Sequence, residues 1–236
     1  MITVHVGAHK TGTSAIQSAL AMVTHRRGLL ISGPEYTGTE FDAAWAGQVR
    51  AEGQRRHVIV SSEGLLGDPF VGYDDAPDRA RELRAALGSD GVRVVLYLRP
   101  ESEWVPSIYL QAVQQGGTAD PETFWDGIRS RRHLRWASLV DSLAQVFPGE
   151  GLVVRPYVSG TDVVEDFFAT TGLGRAPVVS GGAVRENVSI SAAQAPIMRA
   201  LNADASLTRE QRVRIRSFFQ TVVGSTASAR LSPLPE

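Results

Sequence analysis

The chain opens with the stretch Val4-His-Val-Gly-Ala-His-Lys-Thr-Gly-Thr-Ser14, in which a short apolar segment runs into a loop bounded by two glycines. The segment Ala15–Val23 that follows has helical spacing, so the stretch predicts a strand, a turn and a helix in succession. A glycine-rich turn before a helix directs unpaired backbone N–H groups and the positive end of the helix dipole at one point. The stretch therefore predicts an anion-binding loop in an α/β protein.

The loop differs from the ATP-binding motif G-x-x-x-x-G-K-[ST] in the position of its lysine. Gly7 and Gly12 keep the glycine spacing of that motif, and Ser14 keeps its hydroxyl position. Thr13 stands where the lysine is expected, and Lys10 lies inside the loop instead. We expect the loop to hold a phosphate and Lys10 to offset negative charge that develops on a leaving group. The alternative is an ordinary strand-to-helix turn with a solvated lysine.

The composition suits a single α/β domain of ordinary size. The chain has 236 residues and a formal net charge of -1, from 24 Lys and Arg against 25 Asp and Glu. It lacks the basic excess that general nucleic-acid binding requires, so we expect no nucleic-acid partner. The absence of cysteine excludes disulfides and thiolate chemistry. No leader pattern or long apolar run is present, and we expect a cytoplasmic protein without a transmembrane segment.

Apolar β-rich runs alternate along the chain with longer amphipathic runs, which is typical of parallel strands joined by helices. The predicted strands are Ile2–Val6, Val58–Val60, Val92–Leu98 and Leu152–Arg155, with Leu29–Ile31 as a candidate edge strand. Further helices are predicted at Arg79–Leu87, from Asp120-Pro121, at His133–Phe147 and at Thr161–Thr171. These elements predict one domain over residues 1–236, a three-layer α/β/α arrangement around a mainly parallel sheet, with a C-terminal helical part from about residue 186.

The residues that follow each predicted strand are candidates for function, because α/β proteins bind ligands at the carboxyl ends of parallel strands. Ser61-Ser-Glu-Gly64 follows the second strand, and Arg99-Pro100 follows the third. Neither end resembles the magnesium-holding aspartate of an NTPase. Arg99 carries a planar guanidinium suited to a phosphate monoester, and Ser107 lies about two helical turns further on. We therefore predict a second anion site at Arg99 and Ser107.

These motifs resemble those of the sulfotransferases that use 3'-phosphoadenosine 5'-phosphosulfate (PAPS). His9-Lys-Thr-Gly-Thr-Ser14 is similar to the first motif of that family, and Leu96-Tyr-Leu-Arg99 with Ser107 is similar to its second. The resemblance implies a P-loop NTPase-like sulfotransferase fold. It also implies transfer of a sulfuryl group from PAPS to a hydroxyl or amine of a small-molecule, lipid or carbohydrate acceptor. The product nucleotide would be adenosine 3',5'-bisphosphate, and no metal would be required.

The resemblance also implies roles for individual residues. The 5'-phosphosulfate end of the donor would be held by five consecutive loop residues, Lys10, Thr11, Gly12, Thr13 and Ser14. Arg99 and Ser107 would hold the 3'-phosphate. Ser61-Ser-Glu63 is similar to the strand-end S-x-E of bacterial and heparan-type members, in which the glutamate is the proposed base. Glu63 is thus the first candidate for the base, with a helix cap or surface carboxylate as the alternative.

His9 is the rival candidate for the base, although an imidazole that supports the turn is the favoured interpretation. His5 is expected to be a structural histidine with satisfied hydrogen bonds. Two segments resemble the family more loosely, Leu152–Gly172 as its strand and following helix, and Glu186–Ser191 as its N-x-S-x-S segment.

The acceptor pocket is not predicted in detail. Four aromatic residues in loops either line it or pack beneath their own loops, namely Tyr36, Trp45, Phe70 and Tyr73. Two other functions remain open at this point. A P-loop kinase that uses ATP or GTP would require magnesium strictly, and a non-catalytic nucleotide-binding protein would bind the donor without turnover.

Overall fold

The structure is a computed structural model that describes residues 1–27, 29–32, 41–88, 90–158, 160–177 and 190–218. Contacts within the chain divide it into two compact units. The first comprises Met1–Pro100 and Arg131–Ala183, and the second comprises Glu101–Ser130 and Val184–Glu236. The β-sheet and the loop predicted to bind an anion belong to the first unit.

The sheet contains β1 (Ile2–His5), β2 (Leu29–Ser32), β3 (Val58–Ser61), β4 (Val92–Leu98) and β5 (Leu152–Pro156). Its strand order is β2-β3-β1-β4-β5, and every neighbouring pair is parallel. The predicted strands and the predicted α/β class are therefore confirmed. The apolar β1, β3 and β4 occupy the inner positions, as their near-continuous hydrophobic sequences require in a sheet covered by helices.

The described residues also contain the helices α1 (Thr13–Arg27), α2 (Ala43–Arg55), α3 (Ala76–Leu87), α4 (Glu101–Gln114), α5 (Pro121–Ile128), α6 (Trp136–Val146), α7 (Val163–Thr171), α8 (Ala195–Ala203) and α9 (Arg209–Phe218). Of these, α4, α5, α8 and α9 belong to the second unit. The side chain of Asp120 accepts a hydrogen bond from Thr123 N at 2.7 Å, which confirms the predicted start of α5. Gly172 ends α7 in the left-handed conformation, as predicted.

Two helical predictions differ from the structure. The segment predicted as one helix from His133 to Phe147 is divided, because a 3-10 turn at Arg132–Leu134 precedes α6. The helix α2 was not predicted at all. Its sequence is rich in alanine, glycine and arginine, and only Ala46 and Val49 of α2 are buried, so its apolar stripe is too narrow to show in the sequence.

One core cluster of the first unit positions the anion-binding loop. Ile16 and Leu20 of α1 pack with Phe167 and Phe168 of α7 and with side chains of the sheet, including Tyr97. Each large buried side chain of this kind contributes about 1.5–3 kcal/mol to stability. The packing holds α1 against α7 and against side chains of β3 and β4. The short loop from β1 then places the N-terminus of α1 near the carboxyl end of that strand.

The second unit is helical in its described part. Tyr109 and Val113 of α4 pack with Ala195 and Met198 of α8 in a separate apolar cluster. Asn202 extends the contact, since its Nδ2 donates hydrogen bonds to the carbonyl oxygens of Val113 at 2.8 Å and Gly117 at 2.9 Å. The described helices include none with the length and apolar character that a membrane crossing needs.

Candidate functional site

The loop between β1 and α1 has the backbone shape of an anion-binding turn. Lys10 has φ 67° and Gly12 has φ 82°, both in the left-handed region. Such turns direct successive N–H groups into one concavity. Because α1 begins at Thr13, the free N–H groups of its first turn open at the same place. The hydroxyl of Thr11 donates to Ala8 O at 2.5 Å and so stabilises the turn.

Two buried polar atoms lie beside this loop, Thr13 Oγ1 and His5 Nε2. Neither has a partner at full hydrogen-bond geometry in the described residues, although the Thr13 hydroxyl lies close enough to Glu63 to favour its carboxylate. A Cβ at Gly7 would lie only 2.5 Å from Thr13 Oγ1 and 2.9 Å from His5 Nε2, so a side chain at this position would fill the space around them. Buried polar groups almost always have partners, and an exception calls for an explanation such as a bound ion or ligand. The Thr13 hydroxyl and the glycine beside it fit a phosphate or sulfate oxygen.

Gly12 is closely packed on its other side. A Cβ there would lie 2.9 Å from Val163 Cγ1 and 3.1 Å from Tyr157 Cε2. We expect Gly12→Ala to lower the free energy of unfolding by about 2 kcal/mol or more, because a left-handed non-glycine residue costs roughly 1–2 kcal/mol and overpacking adds to that. Urea denaturation measures the loss.

Gly47→Ala is the matched control for this substitution. Gly47 lies in α2, and a Cβ there would meet no atom within 4 Å. Alanine at this helical position should be neutral or should stabilise the protein by about 0.5–1 kcal/mol. Equal stability of the two variants would show that the packing around Gly12 is not as tight as described.

The carboxyl end of β3 holds the candidate base. Glu63 begins a 3-10 turn two residues after Ser61, the last residue of the strand. Gln17 of α1 donates through Nε2 to Ser61 O at 3.1 Å, and Arg79 donates through Nη1 to Gly64 O at 2.7 Å. The backbone on each side of Glu63 is therefore held by a side chain from another element.

Three charged residues from three different strand ends influence one another at this site. Burial lowers the pKa of Lys10 from its usual 10.5, while Glu63 opposes this shift and Arg99 adds to it. Burial raises the pKa of Glu63 above its usual 4.5, although the Thr13 hydroxyl and Lys10 both favour the carboxylate. The structure thus brings Lys10, Glu63 and Arg99 together, as the rule about strand ends predicts. Lys10 is also the only lysine in the sequence.

His9 lies between the loop and Glu63. Its Nε2 is 3.8 Å from Glu63 Oε2. Burial, reinforced by the charge of Lys10, lowers the pKa of His9 to about 4, so its imidazole is neutral near pH 7. The hydroxyl oxygen of Tyr73 lies 2.9 Å from His9 N and 3.0 Å from His9 Nδ1.

Tyr73 is held firmly in place. Its side chain is fully buried and its φ of 58° is left-handed, an uncommon conformation for a bulky residue that costs of order 1–3 kcal/mol. Tyr73 N donates to Asp68 O at 3.0 Å. The Tyr73 ring centroid lies 6.3 Å from that of Trp136, whose Nε1 donates to Arg99 O at 2.5 Å. A chain of contacts therefore connects His9 to the backbone of Arg99.

The aromatic residues proposed for an acceptor pocket have different surroundings. Tyr73 packs inside the protein against His9 and does not line an open pocket. Trp45 stacks on Phe41 with a ring-centroid distance of 5.8 Å, and Phe70 is half-buried. Tyr36 lies outside the described residues, as do 186–189 of the segment that resembles N-x-S-x-S.

Comparison with known proteins gave no further guide to the site, since no protein-family model and no curated protein matches this chain. The geometry of the site and the resemblance of its motifs are therefore the guides to function.

The two residues predicted to bind a 3'-phosphate belong to different units of the structure. Arg99 directly follows β4 in the first unit and is half-buried. Ser107 lies in the second turn of α4, in the second unit. Their shared role stays a prediction.

His5 only partly fulfils its prediction as a satisfied structural histidine. It is fully buried, and its Nδ1 forms a hydrogen bond of 2.9 Å with Ser61 Oγ. Burial lowers the pKa of His5 to about 3, so the ring is neutral. Its Nε2 has no partner in the described residues, contrary to that prediction, because it faces the space beside Gly7.

Proposed function

We propose that the chain is a PAPS-dependent sulfotransferase with a P-loop-like sulfotransferase fold. Its acceptor would be a hydroxyl or amine of a small molecule, a lipid or a carbohydrate. The observation that carries the proposal is the convergence of an amine, a carboxylate and a guanidinium, from Lys10, Glu63 and Arg99, beside a loop shaped for an anion. Sulfuryl transfer needs these groups: a cation for the leaving phosphate, a base for the acceptor and a cation for the second phosphate.

The loop residues fit the 5'-phosphosulfate end of the donor. The backbone N–H groups around Gly12 and at the start of α1 would bind its oxygens. The Thr13 hydroxyl would donate to one of them in place of its interaction with Glu63. The guanidinium of Arg99 would bind the 3'-phosphate. The resemblance of the motifs implies the same ligand for Ser107.

PAPS would supply a sulfuryl group activated by its bond to the 5'-phosphate. Glu63 would accept the proton of the acceptor hydroxyl or amine as the acceptor atom forms its bond to sulfur. Lys10 would donate a hydrogen bond to the bridging oxygen, which keeps the electron pair when its bond to sulfur breaks. The raised pKa of Glu63 makes its carboxylate a stronger base than an exposed one, which suits this role.

Calorimetric titration of the purified chain tests the proposal. Without magnesium, adenosine 3',5'-bisphosphate should bind at micromolar concentration, and 5'-AMP and ATP should bind far more weakly. Such a result justifies an acceptor screen with radiolabelled PAPS. Binding of ATP that requires magnesium, with no binding of the bisphosphate, would contradict the proposal and favour the kinase alternative. Bisphosphate binding without transfer to any acceptor class would favour a non-catalytic nucleotide-binding protein.

Arg99→Ala should weaken the binding of adenosine 3',5'-bisphosphate by about 1.5–3 kcal/mol, the usual contribution of a hydrogen bond to a charged group. The binding of 5'-AMP should hardly change, because that nucleotide has no 3'-phosphate. Arg81→Ala is the matched control, since Arg81 is an exposed arginine of α3 that pairs with nearby Asp78. Equal losses for both nucleotides in Arg99→Ala would place the 3'-phosphate elsewhere.

A further inference from the structure

The hydroxyl of Tyr73 reaches across the fold to His9, a residue 64 positions earlier in the chain. It contacts two nitrogens of His9, the backbone N at 2.9 Å and the ring Nδ1 at 3.0 Å. Burial raises the pKa of Tyr73 far above its usual value, so the hydroxyl keeps its proton. The positions of the hydrogens in these two contacts determine which ring nitrogen of His9 carries the proton.

The first contact favours one arrangement for the second. A backbone N–H can only donate, so the Tyr73 oxygen accepts from His9 N. The single hydrogen of the hydroxyl is then able to point at Nδ1, which accepts it through its lone pair. A proton on Nδ1 would instead require the hydroxyl oxygen to accept from both nitrogens of His9 and to direct its own hydrogen elsewhere.

The other side of the imidazole supports the same assignment independently. The ring is neutral and carries one proton, and its Nε2 faces Glu63 Oε2 at 3.8 Å. With the proton on Nε2, the positive end of the N–H dipole points at the carboxylate. With the proton on Nδ1, a lone pair would face the negative oxygen, which is repulsive. Hydrogen-bond counting at Nδ1 and electrostatics at Nε2 therefore agree.

We propose that Tyr73 is a positioning residue that holds His9 with Nδ1 unprotonated and Nε2 protonated toward Glu63. His9 in this tautomer has no free lone pair with which to take a proton from an acceptor. Its Nε2–H instead orients the Glu63 carboxylate, so Glu63 acts as the base and His9 positions it. This inference deepens the proposed sulfotransferase function and rests on it for the identity of the reaction.

The surroundings of Tyr73 favour a fixed hydroxyl. The Tyr73 backbone is held by Asp68, and its ring contacts Trp136, which itself bonds to the Arg99 carbonyl. The hydroxyl therefore has little freedom to leave His9. The same contacts connect the group that orients Glu63 to the residue proposed for the 3'-phosphate.

The tautomer of His9 can be measured directly. Two-bond correlation spectra of the full chain, labelled with ¹⁵N in its histidine rings, distinguish protonated from unprotonated ring nitrogens near neutral pH. The signals of His9 are assigned by their loss in a His9→Asn variant. We expect Nε2 protonated and Nδ1 unprotonated in the wild type. A wild-type spectrum with the proton on Nδ1 would overturn the inference, whether or not any variant folds.

Tyr73→Phe removes the hydroxyl and keeps the ring. We expect the His9 signals to show a mixture of tautomers, and kcat to fall about 10–100-fold with the donor KM nearly unchanged, as when an orienting partner is lost. Tyr97→Phe is the matched control, because the hydroxyl of buried Tyr97 bonds to Asp166 and not to His9. An unchanged His9 tautomer in Tyr73→Phe would overturn the positioning role.

The spectra and the bisphosphate titration test two separate claims, the tautomer of His9 and the identity of the donor. Protonated Nε2 in a chain that does not bind adenosine 3',5'-bisphosphate would support the tautomer and overturn the proposed donor. Protonated Nδ1 in a chain that binds the bisphosphate would overturn the role of Tyr73 and leave the proposed function intact.

Discussion

Lys10→Ala should lower kcat by about 10²–10³-fold, the usual loss when one group that stabilises developing charge is removed. The affinity for adenosine 3',5'-bisphosphate should fall much less. The amine interacts most strongly with the bridging oxygen when its bond to sulfur breaks, so its contribution is larger in the transition state than in the bound ground state. Steady-state kinetics with the acceptor found in the screen, together with calorimetry, separates the two effects.

Lys10→Arg is the informative comparison for this variant. It keeps the positive charge but replaces a compact ammonium with a planar guanidinium, so it should restore binding more fully than turnover. An alanine variant with wild-type kcat would remove Lys10 from the reaction. A variant that loses binding and turnover equally would make Lys10 a group that only binds the donor.

Glu63→Gln should lower kcat/KM by about 10²–10⁴-fold, the usual contribution of a positioned base. The amide has nearly the same size as the carboxyl group, so the binding of adenosine 3',5'-bisphosphate should persist. This combination would separate a base from a residue that only supports the turn. Wild-type kcat/KM in the glutamine variant would exclude Glu63 as the base.

The pH dependence of kcat/KM gives a second measure of the same residue, because it reports the pKa values of the free enzyme. Only the ionised carboxylate accepts a proton, so wild-type activity should rise with pH through the pKa of Glu63, above its usual 4.5. Only the protonated amine of Lys10 stabilises the leaving group. Activity should therefore fall again as the pH rises through the pKa of Lys10, which lies below its usual value of 10.5. Glu63→Gln should lose the acidic limb and keep the alkaline one. Retention of the acidic limb would assign it to another group.

Most of the first unit could be predicted from the sequence because its signals are local. The apolar runs of β1, β3 and β4 identify buried parallel strands, and the rule about strand ends then brings Lys10, Glu63 and Arg99 together. The sequence could also place the helix start at Asp120, where the cap is a short-range contact. In each case the deciding residues are close in sequence or follow from the strand order.

The parts that sequence reasoning missed depend on contacts between distant residues. Tyr73 was expected either to line a pocket or to pack beneath its own loop, and Trp136 was predicted only as part of a helix. Tyr73 contacts His9 across 64 positions of the sequence, and Trp136 contacts Arg99 across 37. No spacing pattern in the sequence indicates either contact. The close approach of Thr13 and His5 to Gly7 was missed for the same reason, because it appears only when β1 and the loop are folded against each other.

Because the sequence has a single lysine, an amine-reactive reagent can label the site selectively. An amine-reactive ester can acylate only two amines in the whole chain, the N-terminus and Lys10. Coupling to a sensor surface or crosslinking that takes place at Lys10 would therefore attach the protein by the loop proposed to bind the donor and would block it. The same selectivity is useful in solution, where a bound nucleotide should shield Lys10 and the mass of one labelled peptide would report occupancy before any acceptor is known.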